Sequence, residues 1–284
     1  MSTSVPDSTT GETPFQSCPG CLGNELMLLT HSFVAHWISK RIGKQQLAAL
    51  KRCQTCSLHF FSYRYSQAEN EKIYHLYRSN TYLKERQREE PFYTKKLNES
   101  FVSSQDYVEF RIEKCKTKVS QEVVGIDQVK TVLDYGGDRG QFIPRFTPEQ
   151  RSYVFEISDH KTVSDVISIK DSSQLKQSKP DLVIISHVLE HVSEPRELLH
   201  EIFSQFAHED TLIYIEVPLD TPITRRTSSS NWNFRLQSFY SQHPFVSTIV
   251  DSVAKILLKT VHLDLPIKPF RQSEHINFFS EESL

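Results

Sequence analysis

Two pairs of cysteines near the start of the chain have the spacing of metal ligands. Each pair is a Cys-x-x-Cys sequence, and the four members are Cys18, Cys21, Cys53 and Cys56. Two such turns can surround one tetrahedral zinc ion with thiolates, which leaves no coordination position for a substrate. The pattern therefore predicts a structural zinc module and excludes a catalytic zinc. A ribbon that binds nucleic acid or protein is an alternative that the spacing leaves open.

A glycine-rich turn later in the chain has the composition of a loop that holds a nucleotide-like ligand. The turn and the acid before it comprise Asp134, Gly136, Gly137 and Gly140. Glycines let the backbone approach a ligand closely because they carry no Cβ atom. Glu156 follows at the end of the next predicted strand, where an acidic residue can bind ribose hydroxyls. Asp171, just after the third predicted strand, is a candidate contact for an adenine amino group.

The elements around this turn alternate between strands and helices, which predicts an α/β fold. Short apolar runs indicate five strands, at 131–135, 152–157, 164–169, 181–186 and 211–217. Helices are predicted from 140 to 146 and from 195 to 206, the second with a proline in its first turn. Such alternation is typical of a Rossmann-like, doubly wound and mainly parallel sheet.

The composition changes along the chain and predicts four successive parts. They are a disordered tail at 1–16, the zinc module at 17–62, a helical lobe at 63–125 and the cofactor-binding domain at 126–284. Residues 219–272 lack alternating apolar positions and are predicted to be an insertion, with a helix near 245–259.

The charge and hydropathy of the chain argue against two classes of partner. Lysine and arginine number 33 and aspartate and glutamate 35, so the net charge of −2 gives no reason to expect nucleic-acid binding. No apolar run is long enough to span a bilayer, and the polar start lacks the apolar core of a signal peptide. We therefore expect a cytoplasmic protein without a membrane partner, where paired cysteines are metal ligands more often than disulfides.

Three segments resemble class I S-adenosylmethionine-dependent methyltransferases. They are Leu133–Gly140, Asp181–Val192 and Glu274–Leu284. Together with the cysteine pairs, they are similar to a subgroup that includes sugar methyltransferases of antibiotic and cell-surface polysaccharide pathways. The resemblance covers 17–62 and 130–284. It implies S-adenosylmethionine as cofactor, structural zinc, and a sugar or nucleotide sugar as acceptor, methylated on oxygen or carbon.

The resemblance also implies roles for individual residues. The Asp134–Gly140 loop would hold the methionine and ribose parts of the cofactor, Glu156 the ribose, and Ser186 and His187 would line its pocket. The implied catalytic residues are His275 with Glu274, His191 and Tyr82. A histidine suits removal of a hydroxyl proton because it titrates near neutrality. Gln272 stands where the related C-methyltransferases have a tyrosine, which argues against identical chemistry.

Other functions and assemblies stay open at this point. One alternative is a methyltransferase that acts on a small molecule other than a sugar. Another is a noncatalytic module, a zinc ribbon with a degenerate cofactor domain, which Asp138 in the glycine turn and Gln272 favour. Methyltransferases of this class commonly have seven strands, whereas five are predicted here. Either the chain is truncated or the fold closes differently, and an exposed sheet edge could pair with a second copy.

Overall fold

The protein is represented by a computed structural model. It describes residues 16–89, 93–96, 98, 104–122, 128–156, 161–174, 179–219 and 271–284, with isolated positions between 239 and 260. The predicted tail, most of the predicted insertion and most of the helix expected near 245–259 lie outside the described residues.

Two compact units are present. The first comprises 1–73, 192–194 and 219–284, and the second 74–191 and 195–218. The four predicted domain boundaries stay a prediction.

The first unit contains an antiparallel sheet of four strands in the order β1-β2-β3-β9. The strands are β1 (Leu26–Phe33), β2 (Leu47–Cys53), β3 (His59–Phe61) and β9 (Asn277–Phe278). Helix α1 (His36–Ile42) joins β1 to β2 and ends at Gly43, whose φ of 80° makes the left-handed turn that glycine allows. The buried side chains around this sheet include Trp37, Ile38, Leu50, Phe60 and Phe61.

Helix α2 (Gln67–Tyr74) begins with a reciprocal cap. The Glu69 backbone N–H donates to Ser66 Oγ at 3.3 Å, and the Ser66 N–H donates to Glu69 Oε2 at 2.9 Å. This arrangement satisfies two backbone donors that the first helical turn leaves unpaired. The last residue of α2 is Tyr74, which is the first residue of the second unit.

Arg64 is a largely buried cation that joins distant parts of the first unit. Its guanidinium donates to five oxygens, four of them backbone carbonyls, on Phe61, Val192, Ser193, Ile276 and Asn277. Burial lowers the pKa of Arg64, yet an arginine keeps its proton inside a protein. Because a buried charge is costly without acceptors, these contacts fix the 192–194 and 276–277 segments.

The second unit contains a parallel sheet of five strands in the order β6-β5-β4-β7-β8. The strands are β4 (Thr131–Tyr135), β5 (Arg151–Phe155), β6 (Val166–Ile169), β7 (Leu182–Ser186) and β8 (Leu212–Glu216). The helices are α3 (Asn80–Glu89), α4 (Gln105–Glu122) and α5 (Pro195–Phe206). Cys115 and Val119 of α4 pack on Val132, Leu182 and Ile184 of the sheet. The predicted Rossmann-like α/β fold is confirmed.

The helix predicted from 140 to 146 is wrong. This segment consists of turns and irregular backbone between β4 and β5. Pro144 and Pro148 explain the difference, because a proline inside a helix removes a hydrogen-bond donor and collides with the preceding turn. The glycine turn is therefore followed by a loop, and the ligand site cannot use the N-terminus of a helix there.

The strand order identifies the edge of the sheet at which a ligand can bind. β4 has β5 on one side and β7 on the other, so the chain reverses its direction of winding between β4 and β7. In open α/β sheets, the crevice outside the carboxyl ends of the strands at such a point receives the ligand. Asp134 and Ser186 lie at these two strand ends. Among the described residues, no helix has the length and apolar content to cross a bilayer.

Candidate functional site

The four cysteines of the first unit form a compact cluster. Cys18 Sγ lies 3.6 Å from Cys56 Sγ, and Cys21 Sγ lies 3.5 Å from Cys53 Sγ. All four sulfurs lie within 4.8 Å of one another. Four sulfurs about 2.3 Å from one zinc ion would be about 3.8 Å apart, whereas a disulfide requires about 2.05 Å. The geometry fits a tetrahedral metal site.

The two cysteine turns have the same backbone conformation. The Leu22 N–H donates to the Cys18 carbonyl at 2.9 Å, and the Ser57 N–H donates to the Cys53 carbonyl at 3.1 Å. Leu22 and Ser57 both have a φ of 63°, in the left-handed region. Each turn holds its thiols through its own backbone, so the spacing within each pair was enough to predict that the thiols lie together.

Gln272, which stands where the resemblance to C-methyltransferases would place a tyrosine, has a structural position. Its side chain is fully buried, and its Nε2 donates to the Tyr63 carbonyl at 2.9 Å. Its backbone N–H donates to the Phe33 carbonyl at 3.0 Å. Gln272 therefore fixes the chain that leads to Glu274 and His275.

Glu274 and His275, two of the predicted catalytic residues, also lie in the first unit. Glu274 is buried and His275 is partly buried. Nearby, Tyr65 Oη donates to the Ser273 carbonyl at 2.9 Å. Burial raises the pKa of Tyr65, and the charge of Glu274 adds to the effect. Tyr65 is thus a neutral hydrogen-bond donor beside this pair.

In the second unit, the glycine turn after β4 adopts a conformation that its sequence requires. Gly136 and Gly140 both have a φ of 73°. A Cβ atom at Gly136 would lie 2.7 Å from Val188 Cγ2, so only glycine fits against the segment after β7. Asp138 has a φ of 55°, which aspartate tolerates better than most residues. The turn brings the ends of β4 and β7 together.

Asp134 is a buried acid beneath this turn. Its exposed fraction is 2%, and it forms no hydrogen bond through its carboxyl with the residues that the structure describes. Burial raises its pKa to about 7; Arg111 opposes the increase, and the carboxylates of Glu156 and Asp138 add to it. A Cβ atom at Gly137 would lie 2.1 Å from Asp134 Oδ2. Asp134 is therefore an acid that can change its charge at neutral pH.

Glu156 lies beside the glycine turn, as the sequence predicts. Its Oε2 accepts a hydrogen bond from the Asp138 backbone N–H at 3.0 Å. Asp138 in turn has its Oδ2 3.8 Å from Arg78 Nη1. Glu156 thus stabilises the turn, and its role with a ribose stays a prediction. Asp171 is exposed, and its Oδ1 accepts from the Ser173 N–H at 2.8 Å, which begins a short 3-10 turn.

His187 and Glu190 form a polar contact just after β7. His187 has a φ of 57°, and its Nδ1 lies 3.2 Å from Glu190 Oε1. Glu190 is only 1% exposed, and its Oε2 has no hydrogen-bond partner within the described part of the chain. Burial would raise the pKa of Glu190, but the hydrogen bond with His187 and the charge of His191 lower it overall. Glu190 is therefore a buried carboxylate between two histidines.

His191 is paired with a tyrosine that the sequence analysis did not select. Its Nδ1 lies 3.0 Å from Tyr74 Oη, and its Nε2 lies 4.0 Å from Glu190 Oε1. Tyr82, the tyrosine that was selected, is fully buried and packs edge-on against Tyr77 with a centroid separation of 5.2 Å. The contact with Tyr74 has no signal in the local sequence, because 117 residues separate the partners.

Ser186 belongs to a network that the sequence analysis also missed. Arg111 Nη2 donates to Ser186 Oγ, which donates to Glu216 Oε2 at 2.9 Å. Lys114 Nζ donates to Glu216 Oε1 at 2.7 Å. Burial would raise the pKa of Glu216, but the hydrogen bonds from Lys114 and Ser186 and the charge of Arg111 lower it to about 2. The network joins α4 to the carboxyl ends of β7 and β8.

Comparison with known proteins gives one family. A family model described as a methyltransferase domain matches residues 107–284, which is more than half of the chain. No curated protein matches. Among the matching solved structures is an O-methyltransferase family protein from Burkholderia thailandensis, with 12% identity and a TM-score of 0.34. The alignment covers 65% of this chain and 56% of that chain, so this chain corresponds to little more than half of that protein.

Proposed function

Because this chain belongs to the methyltransferase-domain family, we propose that it transfers a methyl group from S-adenosylmethionine to a small polar acceptor. The observation that carries the proposal is the set of polar groups at the carboxyl ends of β4 and β7. Asp134, the glycine turn and Ser186 meet there, at the point where ligands bind in open α/β sheets.

The described residues fit this cofactor. Asp134 offers a buried acid with no hydrogen-bond partner among the described side chains and backbone, which suits an ammonium group. Gly136 and Gly137 bring backbone amides close without Cβ atoms. Glu156 would bind the ribose, and Ser186 and His187 would contact the same ligand. S-adenosylmethionine supplies a methyl group on a sulfonium, which an acceptor oxygen or carbon can attack in line.

Tyr74 and His191 provide the best supported proton acceptor in the second unit. Tyr74 Oη lies 3.0 Å from His191 Nδ1, so the tyrosine can give its own hydroxyl proton to the imidazole as its oxygen takes the proton of an acceptor hydroxyl. The buried carboxylate of Glu190 lies 4.0 Å from the other ring nitrogen and favours the resulting positive charge. His275, with Glu274, is the alternative base, and it lies in the first unit.

The cysteine cluster would bind a structural zinc ion. The proposal rests on the sulfur separations of 3.5 and 3.6 Å and on the repeated backbone turn. Four thiolates occupy every position of a tetrahedral ion, so this metal would stabilise the fold and take no part in methyl transfer. A unit with so small a sheet gains folding energy from such a site.

We propose a sugar or nucleotide sugar as the acceptor, on the basis of the sequence resemblance. A noncatalytic binding module is the alternative, and two observations favour it. The loop that follows the glycine turn contains no helix, and Glu156 accepts a hydrogen bond from the Asp138 amide. A domain that has lost catalysis in this way would bind the cofactor weakly or not at all.

Calorimetric titration with S-adenosylmethionine and S-adenosylhomocysteine tests the proposal. Binding in the micromolar range is expected, and the zinc-loaded, folded protein should then methylate members of a nucleotide-sugar panel. Absence of binding by that protein would contradict the cofactor proposal and support the noncatalytic module. His191→Phe and His275→Ala identify the base, because only the substitution of the true base abolishes turnover while cofactor binding is kept.

A further inference from the structure

Arg111 is a largely buried cation at the proposed ligand-binding edge of the second unit. It projects from α4, and its side chain is 10% exposed. Its Nη2 donates to Ser186 Oγ at the end of β7, and its guanidinium carbon lies 4.3 Å from the centroid of the Phe142 ring. The guanidinium is therefore held on two sides, next to the strand end at which the cofactor is proposed to bind.

The ion pair of Arg111 is shared with a second cation. Glu216 is the carboxylate within ion-pair distance of Arg111, at 3.5 Å, and it binds Lys114 more closely, at 2.7 Å. Ser186 and Tyr214 hydroxyls also donate to this carboxylate. Arg111 and Lys114 therefore share one carboxylate, and the ion pair with Glu216 leaves part of the Arg111 guanidinium available to a ligand.

One donor of Arg111 is also unused. Its Nε is buried and has no hydrogen-bond partner within the described residues. Buried donors almost always have a partner, so an unused guanidinium donor at this strand end indicates an anionic ligand. A planar guanidinium suits a carboxylate in particular, because two of its N–H groups can donate to the two oxygens.

We propose that Arg111 binds the α-carboxylate of the amino-acid end of the cofactor. The inference rests on the proposed function, and it assigns a residue outside the glycine turn and the strand-end segments that the sequence singled out. The amino-acid end carries one negative and one positive group. Arg111 would bind the first and Asp134 the second, and the two side chains already interact electrostatically.

The test compares two ligands that differ only in the carboxylate. S-adenosylhomocysteine carries it, and S-adenosyl-3-thiopropylamine lacks it. Arg111→Met is expected to weaken the binding of S-adenosylhomocysteine by between about tenfold and about 100-fold. The same substitution should leave the affinity for S-adenosyl-3-thiopropylamine unchanged. Lys114→Met is the matched control, since it removes a cation from the same carboxylate but should affect neither ligand selectively. Arg111→Lys keeps the charge and should give an intermediate loss.

Three outcomes would overturn the proposal. If Arg111→Met weakens the binding of both ligands equally, Arg111 only holds the ends of β7 and β8 together. Unchanged binding of S-adenosylhomocysteine means that Arg111 does not touch the ligand. If the wild-type protein binds neither compound, the proposed function fails, and the assignment of Arg111 fails with it. Where Arg111→Met does not fold, the selective loss expected for Arg111→Lys provides the same test.

Discussion

Binding of S-adenosylmethionine is expected to release a proton from Asp134. The groups that face this acid are Arg111 and Cys115 on α4, Asp138 in the glycine turn and Glu156 after β5. Burial, opposed by Arg111 and reinforced by the two acids, raises its pKa to about 7. At pH 7 about half of the molecules therefore carry a proton on Asp134. An ammonium group placed beside it favours the carboxylate and would expel that proton.

The sign and size of the effect follow from this linkage. The pKa of Asp134 falls on binding, so affinity increases with pH up to the pKa of the free protein. Between pH 6 and pH 7, the ionised fraction increases from about 0.1 to about 0.5, so affinity should increase about fivefold. The measurement should stay well below about pH 7.7, at which about half of an α-amino group has lost its own proton.

Calorimetry measures the released proton directly. Titrations at pH 7 in phosphate and in Tris, whose ionisation enthalpies differ, should give a release of about half a proton per ligand. Asp134→Asn is the control, because an amide cannot ionise. This variant should release no proton from position 134, and its affinity for the cofactor should lose the part of the pH dependence that Asp134 causes. The reasoning is refuted if the wild type and Asp134→Asn release equal numbers of protons and show the same pH profile.

Three further substitutions have defined outcomes. The wild type should contain about one zinc ion per chain. Cys18→Ser should lose most of this zinc and have a lower melting temperature, whereas Cys115→Ser should keep the zinc. Plasma emission spectrometry measures the metal content of each variant. Tyr74→Phe should lower kcat by between about 10²-fold and about 10⁴-fold without weakening cofactor binding, and unchanged turnover would exclude it as a proton acceptor. Gly137→Ala should weaken cofactor binding about tenfold, because its methyl group would collide with Asp134; equal dissociation constants by calorimetry would contradict this.

The centre of the parallel sheet could be predicted because β4, β5 and β7 are short apolar runs that are mostly buried. Leu182–Ser186 is such a run, and helix Pro195–Phe206 has a proline at its first turn and the apolar spacing of a helix. The prediction failed between residues 140 and 146, where the glycine turn suggested a helix. Pro144 and Pro148 contradict a helix there, and this local signal outweighs the pattern of the preceding turn.

Long-range pairings could not be predicted from the sequence. Asn277–Phe278 forms a strand only because it pairs with His59 and Phe60, and two residues are too short to show any alternation. The same reason hid the partner of His191, since Tyr74 and Tyr82 occupy similar polar helical stretches. The cysteine cluster was easier to predict, because each cysteine turn is closed by a hydrogen bond within the turn itself.

Arg64 has a consequence for the order in which the protein forms during synthesis. Its oxygen acceptors lie as late in the chain as Ile276 and Asn277. While the ribosome is still making those residues, the guanidinium lacks part of its acceptors, and β3 lacks its partner strand β9. The sheet of the second unit is complete once Glu216 has emerged. The unit whose residues are translated first is therefore the one that closes last, and until then it is the part of the nascent chain that most needs protection from aggregation.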